Sequence, residues 1–171
     1  GSTDRTPALL EELAAQDARI RVIRQANAGV SEARNAALPL CRGKYIRFVD
    51  CDDTLPADSM ATLVRKAEDS GSDLVLAASG AISGAGLRAL VKREDTVALD
   101  EYLAILNRKA NSFYCGVLWN KLFRTALVQE QQLRFTSGLS YGEDMLFVCQ
   151  YLAGAEKISY TRSPVYNYIR N

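Results

Sequence analysis

The chain has 171 residues, 48% hydrophobic and 24% charged, which is enough for one soluble globular domain with a core of its own. Its 21 Lys and Arg against 20 Asp and Glu leave a net charge of +1, so no global field draws in a nucleic-acid backbone or an anionic membrane. Histidine is absent, which removes His-dependent hydrolases and His-ligated zinc or iron sites and leaves carboxylate chemistry.

In chain order, residues 7–16, PALLEELAAQ, follow the capping residue Thr6 with Pro7 at the helix start and predict a first helix. Residues 19–24, RIRVIR, alternate apolar and basic side chains and predict a strand. After a turn at Asn27-Ala28-Gly29, residues 31–40 open on Ser31 and predict a second helix. Residues 44–49, KYIRFV, predict a strand that ends on the acidic stretch Asp50-Cys51-Asp52-Asp53. Residues 56–70 predict a proline-opened helix closed by Gly71, and residues 73–78, DLVLAA, a buried strand.

Strands alternating with helices imply an α/β fold with a mostly parallel central sheet flanked by helices, in which ligands sit beyond the carboxyl ends of the strands. Beyond residue 80 the pattern loosens. Residues 80–86 predict a hairpin or loop, 99–109, 121–131 and 143–153 helices, and 158–169 strands. Cys41, Cys51, Cys115 and Cys149 form no C-x-x-C pair and lie in or beside apolar segments. No apolar run reaches the roughly 18 to 20 residues of a membrane span, and the first residues show no charged region followed by an apolar one of the signal-peptide kind. A reducing, cytoplasmic setting is expected.

The chemistry concentrates at FVDCDDTL, residues 48–55, where three carboxylates follow a buried strand. Like charges so close repel, and burying one without a partner costs several kcal/mol, so the fold must supply a cation or strong donors. A lone D-x-D is more often a solvated turn. At a strand end of an α/β sheet it instead fits Mg2+ or Mn2+ held by one or two carboxylates, with phosphate oxygens completing the shell.

Two families share this arrangement. Asp50-Cys51-Asp52-Asp53-Thr54-Leu55 resembles the D-x-D-x-T-[LV] motif of haloacid dehalogenase-like phosphatases, which would make Asp50 a nucleophile and Asp52 a general acid. The flanks resemble the family-2 glycosyltransferases of GT-A fold more closely. Asn27-Ala28-Gly29-Val30-Ser31-Glu32-Ala33-Arg34-Asn35 is similar to N-x-G-x-S-x-A-R-N, and residues 43–53 to G-x-Y-[IL]-x-F-[LV]-D-x-D-D. Gly1-Ser2-Thr3-Asp4, Trp119-Asn120-Lys121-Leu122-Phe123 and Gly142-Glu143-Asp144 resemble further segments of that family in the same order.

The resemblance implies a single GT-A-like catalytic domain fragment over residues 1–171 that lacks the first strands. Residues 1–80 would belong to the nucleotide half and 81–171 to the acceptor half. It implies inverting transfer of a sugar from a UDP-sugar to the hydroxyl of a glycan or lipid-linked acceptor in polysaccharide synthesis, at the inner face of the membrane in the full-length protein. Asp52 is then a metal ligand (Mg2+ or Mn2+), with Asp50 either beside it on the metal or facing the ribose, and Arg34, Asp50, Asp52 and Asp53 are the nucleotide-sugar residues. Asp144, with Glu143 beside it, becomes the catalytic base, although two acids in a first helical turn also complement the helix dipole; Trp119 becomes either an acceptor platform or core filling, with Asn120 and Lys121 beside it as the acceptor wall. Other outcomes are the phosphatase and an inactive structural core whose exposed apolar surface self-associates.

Overall fold

The structure is a computed structural model that describes residues 1–78, 95–108, 116–139, 141–167 and 169. Its helices are α1 (Thr6–Gln16), α2 (Gly29–Ala37), α3 (Ser59–Ser70), α4 (Leu99–Arg108), α5 (Thr125–Glu130) and α6 (Glu143–Leu152). Its strands are β1 (Tyr45–Ile46), β2 (Leu74–Ala78), β3 (Thr96–Ala98), β4 (Lys121–Arg124) and β5 (Lys157–Pro164), in one sheet of order β1-β4-β2-β5-β3.

The sheet is mixed rather than mostly parallel. Only β2 and β5 run parallel, while β4 is antiparallel to both β1 and β2, and β3 is antiparallel to β5. The strand at Lys121–Arg124 lies where the sequence predicts helix over 121–131; only Thr125–Glu130 is helical. The four residues KLFR lock between Tyr45–Ile46 and Leu74–Leu76. Such pairing with distant segments overrides local helical preference.

Other boundaries shift for local reasons. The expected strand at 19–24 does not form: a ladder needs a neighbour, and no strand pairs with this segment among the described residues. Helix α2 begins at Gly29, two residues before Ser31, and Pro39 turns its end into the 3-10 segment Leu38–Leu40. Only Tyr45 and Ile46 of the predicted 44–49 strand pair, so Phe48 to Asp53 leave the sheet as a loop. Helix α3 ends at Gly71, whose φ of 63° is the left-handed closure that favours glycine. Helices α1, α4 and α6 and strand β5 lie close to their expected positions. The expected loop at 80–86, Cys115 and Tyr168 fall outside the described residues.

The core sits on the sheet. Leu63 and Ala67 of α3 and Phe147, Val148 and Tyr151 of α6 pack with Leu74 and Val75, Leu122 and Phe123, and Ile158. Within it Phe48, Phe123, Phe135 and Phe147 form one aromatic cluster. Phe135 stacks on Phe147 with centroids 4.2 Å apart, and Phe48 meets Phe123, Phe135 and Phe147 edge-on at 5.4 to 5.7 Å. The cluster also positions the polar site, because Phe48 lies two residues before Asp50 and Phe147 one helical turn after Asp144. Helix α1, by contrast, buries none of its residues, and Leu9, Leu10 and Leu13 are exposed.

Candidate active site

Arg34 is the centre of the site. It projects from α2 and is fixed by its neighbour: the Asn35 side chain donates to the Phe135 carbonyl and accepts from the Phe135 N–H, both at 2.8 Å. That pair ties α2 to the segment carrying Phe135, whose ring lies 5.2 Å from the Arg34 guanidinium carbon. From this seat Arg34 Nη1 donates to Asp144 Oδ1 at 2.6 Å, and Nη2 reaches Asp50 Oδ1 at 3.4 Å; Glu143 Oε1 is 3.9 Å from Nη1.

The two carboxylates come from different halves of the chain. Asp50 ends the run after β1, and Asp144 lies in the first turn of α6, where the helix dipole favours negative charge. Gly142 caps that helix with φ of 86°, a conformation that resists a Cβ. Burial pushes the Asp144 carboxyl above its ordinary value; the Arg34 charge opposes this and those of Glu143 and Asp50 add to it. Burial likewise raises Asp50, opposed by Arg34 and reinforced by Asp53 and Asp52.

The loop of residues 50–54 is tied to the chain's end. The Tyr166 hydroxyl donates to Asp53 Oδ2 at 2.7 Å and accepts from the Asp50 N–H at 3.1 Å, while the Ile169 N–H donates to Asp53 Oδ1 at 2.8 Å. Thr54 and Asn167 exchange backbone hydrogen bonds of 3.2 and 3.0 Å. Trp119 stacks on Tyr166 with centroids 4.7 Å apart.

The sequence profile of Glycosyl transferase family 2 matches residues 1–131, a range that includes both Asn27-to-Asn35 and the acidic loop. The chain belongs to glycosyl transferase family 2. The phosphatase alternative, which rested on residues 50–55 alone, falls away.

This family-2 chain is 31% identical over 98% of its length to the putative glycosyltransferase EpsH of Bacillus subtilis, covering 49% of that protein. It is 30% identical, at the same coverage of both chains, to the succinoglycan biosynthesis protein ExoO of Rhizobium meliloti. It therefore spans about half the length of the curated relatives it matches. The crystal structure of S. aureus TarS 1–349 in complex with UDP superposes on 98% of the chain and 48% of that structure, with TM-score 0.78 and 25% identity. The fold is thus the mixed α/β GT-A arrangement.

The expected site residues divide in the family-2 fold. Arg34, Asp50, Glu143 and Asp144 meet, and Asp52 is exposed on the same loop as Asp50. Asp53 has both oxygens occupied by protein donors. Trp119, Asn120 and Lys121 lie in the interior, with exposures of 4%, 0% and 0%. Lys121 Nζ donates inward to the Val117 carbonyl at 2.6 Å and to Asn120 Oδ1 at 3.0 Å, on a strand enclosed between β1 and β2.

Asn35 and Tyr166 were not singled out as site residues by sequence. Asn35 adjoins Arg34 within a segment that already resembled the family; nothing local marks Tyr166 among eight tyrosines.

Among the described residues no three acidic or cysteine side chains converge as an all-protein metal cage would require. Asp50 and Asp52 nonetheless match the donor set of a hard divalent cation that takes one or two carboxylates and completes its shell with water and phosphate oxygens. Their mutual repulsion, visible in the upward push of Asp52 and Asp53 on Asp50, is what such a cation relieves. No helix among the described residues is long and apolar enough to cross a membrane.

Proposed function

We propose that the chain carries the donor-holding and base-bearing parts of an inverting glycosyltransferase that moves a sugar from a UDP-sugar to an acceptor hydroxyl in glycan synthesis. The observation that supports it most is one guanidinium, Arg34, lying 3.4 Å from Asp50 and 2.6 Å from Asp144. A donor-side and an acceptor-side carboxylate thereby face a common space. UDP bound to TarS, a structure of the same fold, supports the choice of nucleotide.

In this reading Asp50 and Asp52 hold Mg2+ or Mn2+, which supplies countercharge to the diphosphate. Arg34, with a planar fork of donors, turns from the carboxylates to the diphosphate oxygens as they arrive. The acceptor oxygen attacks the anomeric carbon from the face opposite the diphosphate, the anomeric C–O bond breaks, and its electron pair leaves on the diphosphate. The acceptor proton passes to the Asp144 carboxylate. Burial that raises the Asp144 pKa improves it as a proton acceptor, and Glu143 adds negative potential beside it. Asp53 keeps the loop in shape. Residues 1–80 are assigned to the donor side and 81–171 to the acceptor side, with Tyr166, Asn167 and Ile169 returning to brace the donor loop.

Incubating the whole protein with a panel of nucleotide sugars and acceptors, with mass detection of product, tests the reading. Transfer from a UDP-sugar with inversion at the anomeric carbon is expected. Hydrolysis of phosphomonoesters without transfer, or retention of configuration, would overturn it.

A further inference from the structure

Tyr166 is fully buried, yet its hydroxyl sits in the acidic loop rather than in the apolar core. It spends both hydrogen-bonding roles there, accepting from the Asp50 N–H at 3.1 Å and donating to Asp53 Oδ2 at 2.7 Å. Three further contacts reinforce the same junction. Ile169 N–H takes the other Asp53 oxygen, Thr54 and Asn167 form an antiparallel bridge, and Arg47 Nη2 donates to the Val165 carbonyl at 2.7 Å. The Arg47 guanidinium carbon also lies 6.0 Å from the Tyr166 ring centroid, on a side chain whose Nη1 donates to Ser59 Oγ at the start of α3.

A loop carrying three carboxylates in four residues repels itself and would open without such restraints. Its backbone makes only one internal turn hydrogen bond, Asp53 N–H to Asp50 carbonyl, at 3.3 Å. Besides Arg34 at Asp50, its restraints come from Tyr166, Asn167 and Ile169, more than a hundred positions away. Asp53, with both oxygens satisfied, anchors the loop and leaves Asp50 and Asp52 as the carboxylates available to a ligand.

We infer that Tyr166 is a positioning residue for the donor site: through Asp53 and the Asp50 backbone, its hydroxyl sets the loop conformation that presents Asp50 and Asp52 to a cation-bound nucleoside diphosphate. Its ring, stacked on Trp119 at 4.7 Å, supplies the rigidity that makes the hydroxyl's position definite. This role rests on the donor-site reading given above.

Tyr166→Phe keeps the stacked ring and removes only the oxygen. In amide hydrogen exchange on the whole protein, without ligand, residues 50–54 are expected to exchange at least tenfold faster in the variant, with β2 and β5 unchanged. In calorimetry with Mn2+ and UDP, affinity is expected to fall about tenfold, the scale of one lost hydrogen bond to a charged group. Unchanged exchange at residues 50–54, acceleration spread evenly over the molecule, or wild-type affinity for Mn2+ and UDP in the Phe variant would each overturn the positioning role. If the wild type itself fails to bind UDP with Mn2+, the donor reading falls, while the exchange comparison still decides whether Tyr166 holds the loop. Tyr166→Leu, which also removes the stack on Trp119, is expected to lower the melting temperature as well; a Leu variant as stable as wild type would contradict the part given to the ring.

Discussion

Arg34 and Asp144 lie 110 residues apart in the chain and 2.6 Å apart in space, Nη1 to Oδ1. The same guanidinium reaches Asp50, so one side chain joins the loop after β1 to the first turn of α6. An arginine shared by carboxylates from both halves of the chain balances charge that would otherwise be half-buried and unpaired. In the proposed function it exchanges those partners for a diphosphate.

Asp144→Asn is expected to reduce kcat at least a hundredfold, the usual scale for loss of a general base, while UDP binding changes less than threefold. Stability follows from the direction of the pKa shift. The folded state holds the Asp144 proton more tightly than the unfolded chain, so its contribution to stability falls as pH rises from the ordinary value toward the folded one. Removing that charge should leave the melting temperature at neutral pH equal to or above wild type. Calorimetric melts and steady-state kinetics check both halves; an inactive and strongly destabilised variant would point to a structural role.

Replacing Arg34 with methionine takes away the charge that pulls the Asp144 carboxyl downward against burial. The acid limb of the kcat/KM profile is therefore expected to move to higher pH in Arg34→Met, together with weaker UDP binding. A limb that stays in place or moves to lower pH would show that Arg34 does not set the ionisation of the base.

Asn35→Ala should cost about 2 to 3 kcal/mol, because the Phe135 N–H and carbonyl both lose their buried partner. Chemical denaturation measures this directly. Phe135 is also the ring beneath Arg34, so the activity of the folded fraction should fall as well. Asn35→Asp, which can accept but not donate, is expected to be intermediate in stability.

Asp52→Asn and Asp53→Ala separate ligand binding from loop support. The first should abolish the Mn2+ dependence of UDP binding with a stability change within about 0.5 kcal/mol, as for an exposed substitution. The second removes the acceptor of the Tyr166 hydroxyl and of the Ile169 N–H, and should cost about 1 to 3 kcal/mol before any ligand is added. Equal losses of stability in denaturant melts would contradict this division.

Much of this site was legible in the sequence where chemistry is local. The acid run at residues 50–53, the Arg34 segment and the Glu143-Asp144 helix start are short strings that resemble family segments, and the structure brings Arg34, Asp50, Glu143 and Asp144 together. Long-range pairing was not legible. KLFR at 121–124 looks helical until strands from residues 45 and 74 lie beside it, and RIRVIR looks like a strand although none pairs with it among the described residues. The same limit applies to Trp119, Asn120 and Lys121, whose letters suit a pocket wall or the core alike and whose burial only the tertiary structure gives. Tyr166 reaches the acidic loop only through a tertiary contact across more than a hundred residues, for which no periodicity exists.

The most direct test of the central claim is calorimetric titration of UDP into the whole protein with Mn2+ and again with excess chelator, in wild type and in Asp50→Asn with Asp52→Asn. Binding that requires Mn2+ in the wild type and disappears in the double variant is the predicted result. UDP binding that persists equally with chelator and in the double variant would contradict a diphosphate held through the Asp50 and Asp52 carboxylates.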